Sequence, residues 1–107
     1  LLNDPQYVEA AHGVARRAVE QQNETARRLQ LIFKSICGRQ ATDEQLELLL
    51  ALYEQQLAIF KETEGSARAL LEIGDIGLPE DTQLNQIAAL TAVAQGLFSF
   101  DGFVMKR

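Results

Sequence analysis

The sequence has very little of the residue types that build most metal, haem and disulfide sites. Its 107 residues include one cysteine, one histidine, one methionine and no tryptophan. A single cysteine excludes an intrachain disulfide, a multi-cysteine metal site and the Cys-x-x-Cys-His attachment of c-type haem. We therefore predict that this chain binds no cofactor.

Long apolar runs and an excess of positive charge are also missing. No apolar stretch approaches the roughly 20 residues that span a bilayer, so we predict no transmembrane segment. Lysine and arginine number 10 against 15 acidic residues, giving a formal net charge of −5. Since a nucleic-acid-binding surface is basic, this balance argues against a nucleic-acid partner. Four arginines form a local cluster of cations: Arg16, Arg17, Arg27 and Arg28. We interpret this cluster as a solvated surface, and an anion-binding patch is the alternative.

The composition predicts a single helical domain over residues 1–107. Hydrophobic residues make up 47% of the chain, which is enough for one core, and no Pro- or Ser-rich linker divides it. The first residue is Leu1 and no signal peptide is visible, while Asp4 and Pro5 are typical of a helix start. We interpret the chain as excised from a larger multidomain protein.

Apolar residues at helical spacing predict an all-α fold, an irregular antiparallel bundle of about five helices. The predicted helices span 5 to about 21–23, 24–37, 43–63, 67–73, and 81 or 82 to 98, with a loop over 74–81 and a break at 99–101 before a final turn. Gly38 is expected to end the second helix, and Thr42 with Gln45 to form a capping box that starts the third. The third helix is so apolar that we expect it to be central.

Three polar residues are candidates for a functional site: His12, Cys37 and Arg39. His12 lies mid-helix, where a partly exposed or hydrogen-bonded packing role is favoured over a general base. Cys37 is interpreted as a buried, inert thiol, because its helix C-terminus disfavours the thiolate. Arg39 is expected to fix the following turn by bonding helix carbonyls or pairing with Glu44. A polar ligand site that includes His12 and Arg39 is the alternative.

Aromatic residues concentrate near the two ends of the chain. They are Tyr7, Phe98, Phe100 and Phe103. One interpretation is closure of the core. The other is a docking surface, since large apolar patches tend to mark interfaces.

Several segments, taken in order, resemble a known family. They are the opening stretch 2–11, the stretch 28–33, Gly38-Arg39, the stretch 70–74 and the closing stretch 97–104. Together they resemble the C-terminal part of the planctomycete-type domain of unknown function 1553, also called a planctomycete surface domain. The resemblance implies a large exported protein, periplasmic or at the cell surface. It also implies upstream partner domains, among them a c-type cytochrome domain, and it carries over no catalytic residue.

These observations leave two main hypotheses for function. The leading one is a non-catalytic helical structural or protein-interaction module of a large exported protein. The alternative is part of a hydrolytic or redox enzyme in which this module forms one wall of the site. A glycan-binding module is weakened by the absence of tryptophan and the presence of only two tyrosines to stack on sugar rings.

Overall fold

Five helices form the described part of the chain. The computed structural model describes the backbone of residues 5–73 and 81–105 and the side chains of 6–72 and 84–99. Within these ranges there is no strand, and the helices are α1 (Pro5–Gln21), α2 (Thr25–Cys37), α3 (Asp43–Glu62), α4 (Ser66–Ile73) and α5 (Asp81–Met105). This confirms the predicted all-α bundle. Asp4 and residues 74–80 of the predicted loop over 74–81 lie outside the described residues, and Asp81 begins α5.

The predicted signals between α2 and α3 are confirmed. Gly38 has a φ of 80°, in the left-handed region, and its N–H donates to the carbonyl of Lys34. The Thr42 hydroxyl accepts from the N–H of Gln45 at 3.1 Å, and the Gln45 side chain accepts from the N–H of Thr42 at 2.9 Å. This reciprocal pair is the predicted capping box. Local chemistry therefore determines where α2 ends and α3 begins.

The centre of the bundle is α5, which contacts each of the other four described helices. Its most extensive contact is with α1, and both helices bury small side chains there. The buried alanines of the two helices are Ala11, Ala15, Ala18, Ala88, Ala89 and Ala94. Because alanine has no atoms beyond Cβ, two helices lined with it can approach closely. The contact between α1 and α5 is therefore built from small side chains on both helices.

Two expectations about the helices were wrong. The α3 helix packs mainly on α5 and α2 at the side of the bundle, so it is not central. The predicted break at 99–101 is absent, because α5 continues to Met105. Ser99 and Asp101 disfavour a helix interior by less than about 1 kcal/mol each, and neither blocks the backbone hydrogen bonds as proline does.

The side chain of Gln30 fixes the corner between α2 and α3. Its Nε2 donates to the carbonyl of Ala41 at 3.0 Å, and its Oε1 accepts from the N–H of Ala41 at 3.0 Å. Ala41 is buried, so both of its backbone polar groups depend on this one side chain rather than on water. The amide of Gln30 therefore replaces the neighbouring strand or turn that usually satisfies such groups.

Replacing Gln30 with alanine is expected to lower the free energy of unfolding by about 1–3 kcal/mol, because two buried backbone groups lose their partners. Chemical denaturation followed by circular dichroism measures the change. The matched control is Gln55→Ala on the exposed side of α3, which is expected to change stability by less than about 0.5 kcal/mol. Equal effects of the two substitutions would contradict this role for Gln30.

Candidate functional site

His12 is completely buried in α1, with 0% of its surface exposed. It lies beside Val8, Ala11 and Ala15, which are also fully buried. Neither Nδ1 nor Nε2 has a hydrogen-bond partner among the described residues. His12 therefore has the expected packing role, but it is neither partly exposed nor hydrogen-bonded to a described residue, because the α1 stripe faces inward at this position.

The surroundings of His12 oppose its protonation. Burial lowers the pKa of His12 below its ordinary value of 6.5, and the positive charge of Arg16, one turn along α1, lowers it further. The described side chains of α5, residues 84–99, include no ionisable group to offset this effect. Thr91, the other buried polar residue in the described ranges, differs because its hydroxyl donates to the Ile87 carbonyl at 2.7 Å. His12 is thus a neutral, sealed imidazole with no access for a substrate.

Arg39 holds the turn after α2, as expected, but through partners that differ from those predicted. Its Nη1 donates to Gln45 Oε1 at 3.2 Å and weakly to the Gln40 carbonyl at 3.5 Å. Its guanidinium carbon lies 5.2 Å from the centroid of the Phe33 ring, in a cation–π contact. The predicted partner Glu44 is not used. Arg39 is exposed and His12 is sealed, so they do not line a common site.

Two of the four clustered arginines are paired with carboxylates, and a third bonds to a backbone carbonyl. Arg16 lies 3.9 Å from Glu20, and Arg27 lies 3.2 Å from Glu24. The Nε of Arg28 donates to the carbonyl of Gln22 at 2.7 Å and so closes the turn between α1 and α2. These contacts favour the interpretation of a solvated surface over that of an anion-binding patch.

An open cleft of about 390 Å³ lies along the outer side of α2. It is lined by Gln22, Arg27, Gln30, Leu31, Lys34 and Gln40. Two cations, three amides and a leucine are able to hold a polar ligand by hydrogen bonds, but none of them is a nucleophile or a general base at neutral pH. Neither His12 nor Arg39 belongs to the lining.

Sequence reasoning missed this cleft because its walls come from separate elements. Arg27 and Lys34 are seven residues apart and share one face of α2, a spacing visible in the sequence. Gln22 and Gln40 lie in the turns at opposite ends of α2, and only folding brings them to its flank. Periodicity within one helix carries no signal for such residues.

The remaining candidates are only partly described. Cys37 is half-buried and packs against the core, which differs from the expected full burial. Tyr7 is 46% exposed, whereas Phe98 is partly buried against the core. The side chains of Phe100 and Phe103 lie outside the described residues. The docking surface predicted from these aromatics therefore stays a prediction.

Two kinds of site are absent from the described ranges. No three His, Cys, Asp or Glu side chains lie close enough there to hold a metal ion. None of the helices, as far as they are described, has the length and apolar content needed to cross a membrane.

Comparison with known proteins gives no further guide to function. No protein-family model, no curated protein and no solved structure matches this chain.

Proposed function

We propose that this chain is a non-catalytic helical module that mediates protein–protein contact within a larger exported protein. The observation that carries the proposal is the exposure of large apolar side chains on a bundle that already has a continuous core. Leu48 is 71% exposed, Ile59 48% and Tyr7 46%. A hydrophobic surface that the fold itself does not bury is typical of a surface that binds another protein.

The charged and polar features of the described residues also support this proposal over an enzymatic role. The one histidine is sealed, and the cleft along α2 presents only cations, amides and a leucine. General acid–base catalysis needs a group that is reachable and that titrates near the working pH. A binding module requires neither.

The resemblance to the planctomycete-type domain suggests where the partner is found. We propose that the module contacts domains encoded upstream of it in the same protein, one of which is a c-type cytochrome domain. The exported location, periplasmic or at the cell surface, rests on the same resemblance. Tyr7 and the aromatics near the end of α5 are the surface first predicted for this contact.

Titration calorimetry between this chain and the separately expressed upstream region tests the proposal. Saturable binding is expected, and Tyr7→Ala is expected to weaken it by about tenfold if the aromatic end forms the contact. Lys34→Ala, on the exposed side of α2, is the control and is expected to leave the affinity unchanged. No binding by a folded chain would contradict the proposal.

A further inference from the structure

The outward face of α3 carries an apolar stripe that the bundle leaves uncovered. We define the outer stripe of α3 as the exposed residues Leu48, Ala51, Gln55, Ala58 and Ile59; Leu52 beside them is half-buried and packs against the core. Leu48, Gln55 and Ile59 have the spacing i, i+7 and i+11, which aligns them along about 16 Å of one helix face. The opposite side of α3, with buried Leu49 and Tyr53, packs on the core.

The exposure of this stripe distinguishes it from ordinary surface leucines. Leu48 is 71% exposed and Ile59 is 48% exposed, and Ala51 and Ala58 between them are exposed as well. A single exposed apolar residue is common in soluble proteins and needs no explanation. Two large ones in line, with small residues between them, instead form the kind of surface onto which an amphipathic helix packs.

Acidic residues border the outer stripe. Glu44 and Glu62 lie near its two ends, and Glu47 and Glu54 follow one flank seven residues apart. All four are exposed. The opposite flank carries the uncharged Gln45 and Gln56, and the guanidinium of Arg39 contacts this flank at Gln45. Lys61, the one lysine or arginine of α3, lies beyond the acidic flank.

This charge pattern disfavours pairing of α3 with α3 of a second copy. In an antiparallel pair, like flanks meet, so Glu47 and Glu54 of one chain would face the same residues of the other. In a parallel pair, the two copies of Glu44 would meet, as would the two copies of Glu62. Like charges placed opposite each other across a helix pair are destabilising, whereas Lys and Arg in those positions attract.

We propose that the outer stripe of α3 binds an amphipathic helix of a partner protein whose apolar face is bordered by Lys or Arg. The inference rests on the proposed role as an interaction module and specifies the chemistry of the partner. Leucine-like side chains of the partner helix contact Leu48 and Ile59, and its cations face Glu47 and Glu54. The apolar contacts supply affinity, and the charges set orientation and speed association.

Three synthetic 18-residue helical peptides test this inference by fluorescence anisotropy. The first has leucines at i, i+4, i+7 and i+11 with lysines on both flanks; the second replaces the lysines with glutamates; the third keeps the lysines and replaces the leucines with serines. Only the first is expected to bind saturably, at least about tenfold more tightly than the others. Equal binding of the first and third peptides would overturn the inference, because attraction by charge alone would then account for it.

Variants of the chain locate the site. The double substitution L48S/I59S keeps every charge and removes both exposed anchors, and it is expected to weaken binding of the first peptide by roughly tenfold or more. The matched control Tyr7→Ser removes an exposed apolar side chain of α1 instead and is expected to leave the affinity unchanged. Circular dichroism verifies that all variants remain folded, as expected for substitutions at exposed positions.

The outcomes separate this inference from the proposed function. If the lysine-flanked peptide does not bind but the upstream region binds through Tyr7, then the α3 inference is wrong and the interaction module stands. If sedimentation shows a dimer that L48S/I59S dissociates, the occupant is a second copy and the inference is overturned. If neither peptide nor upstream region binds, both fail.

Discussion

Replacement of Leu90 by alanine is expected to lower the free energy of unfolding by about 2–5 kcal/mol. Leu90 lies in α5, is among the largest fully buried side chains, and belongs to the core cluster that all five helices share. The residues one turn away on α5, Ile87, Val93 and Ala94, are themselves buried and packed in the core, so they are not free to fill the space that the leucine leaves. The cavity therefore persists and adds to the lost transfer free energy.

The same substitution at Leu48 is the matched control for Leu90→Ala. Leu48 is exposed on α3, and alanine suits a helix well, so Leu48→Ala is expected to change the free energy of unfolding by less than about 0.5 kcal/mol. Urea denaturation of both variants, followed by circular dichroism, measures the difference. Similar effects at the two positions would contradict the arrangement in which α5 occupies the centre and α3 the side.

Replacement of His12 by leucine is expected to raise the free energy of unfolding by about 1–3 kcal/mol at pH 7. The imidazole has two buried nitrogens without partners in the described structure, whereas leucine has a similar volume and no polar atom. Removing an unsatisfied polar group from a core returns its desolvation cost. Urea denaturation at pH 7 measures the gain. A loss of stability would indicate that His12 has a polar partner.

The pH dependence of stability gives an independent check on His12. Its pKa is lowered in the folded state, so below the ordinary value of 6.5 the unfolded chain binds the proton more readily. The stability of the unsubstituted chain should therefore fall with decreasing pH, from 6.5 down through the folded pKa, by at most about 1.4 kcal/mol per pH unit from this one group. His12→Leu should lack this component. The difference between the two chains across pH 7.5 to 5.5 isolates it, because His12 is the chain's only histidine.

The parts of the fold that were predictable from sequence are those determined by a few adjacent residues. The ends of α2 and α3 follow from Gly38, which accepts a positive φ, and from the reciprocal bonds of Thr42 and Gln45. The first helix ends where predicted, because polar residues interrupt the apolar spacing. In each case the deciding interaction spans only a few residues, and a local pattern is sufficient to reveal it.

The position of each helix in the bundle was less predictable, because apolar content measures how much surface needs covering but not what covers it. In α3, part of that surface stays exposed at Leu48 and Ile59. In α5, apolar residues occur all round the helix and residues 84–99 include no charged side chain, a pattern typical of a central helix that the prediction for α3 overlooked. The prediction of a break at Ser99 likewise gave too much weight to weak local preferences for leaving the helix.

The candidate sites likewise divide into those determined by nearby residues, which were predictable, and those determined by contacts between helices, which were not. The role of Arg39 in fixing its turn was anticipated because the turn is local, but its partner is Gln45, six residues away, rather than the predicted Glu44. The complete burial of His12 was not anticipated, since it depends on how α1 is rotated against α5 and its other neighbours. The cleft along α2 and the corner held by Gln30 and Ala41 require contacts between elements, and Gln30 reaches 11 residues along the chain.

The central place of α5 has a consequence for how the protein is made. This helix follows the other four along the chain, so α1 to α4 leave the ribosome before the element that they all contact exists. Until it arrives, their apolar faces have only one another to pack against, and the contact of α1 with α5 is the most distant in sequence among the helix pairs. Assembly therefore waits until α5 has emerged, and during that interval the growing chain is most exposed to aggregation and most dependent on chaperones.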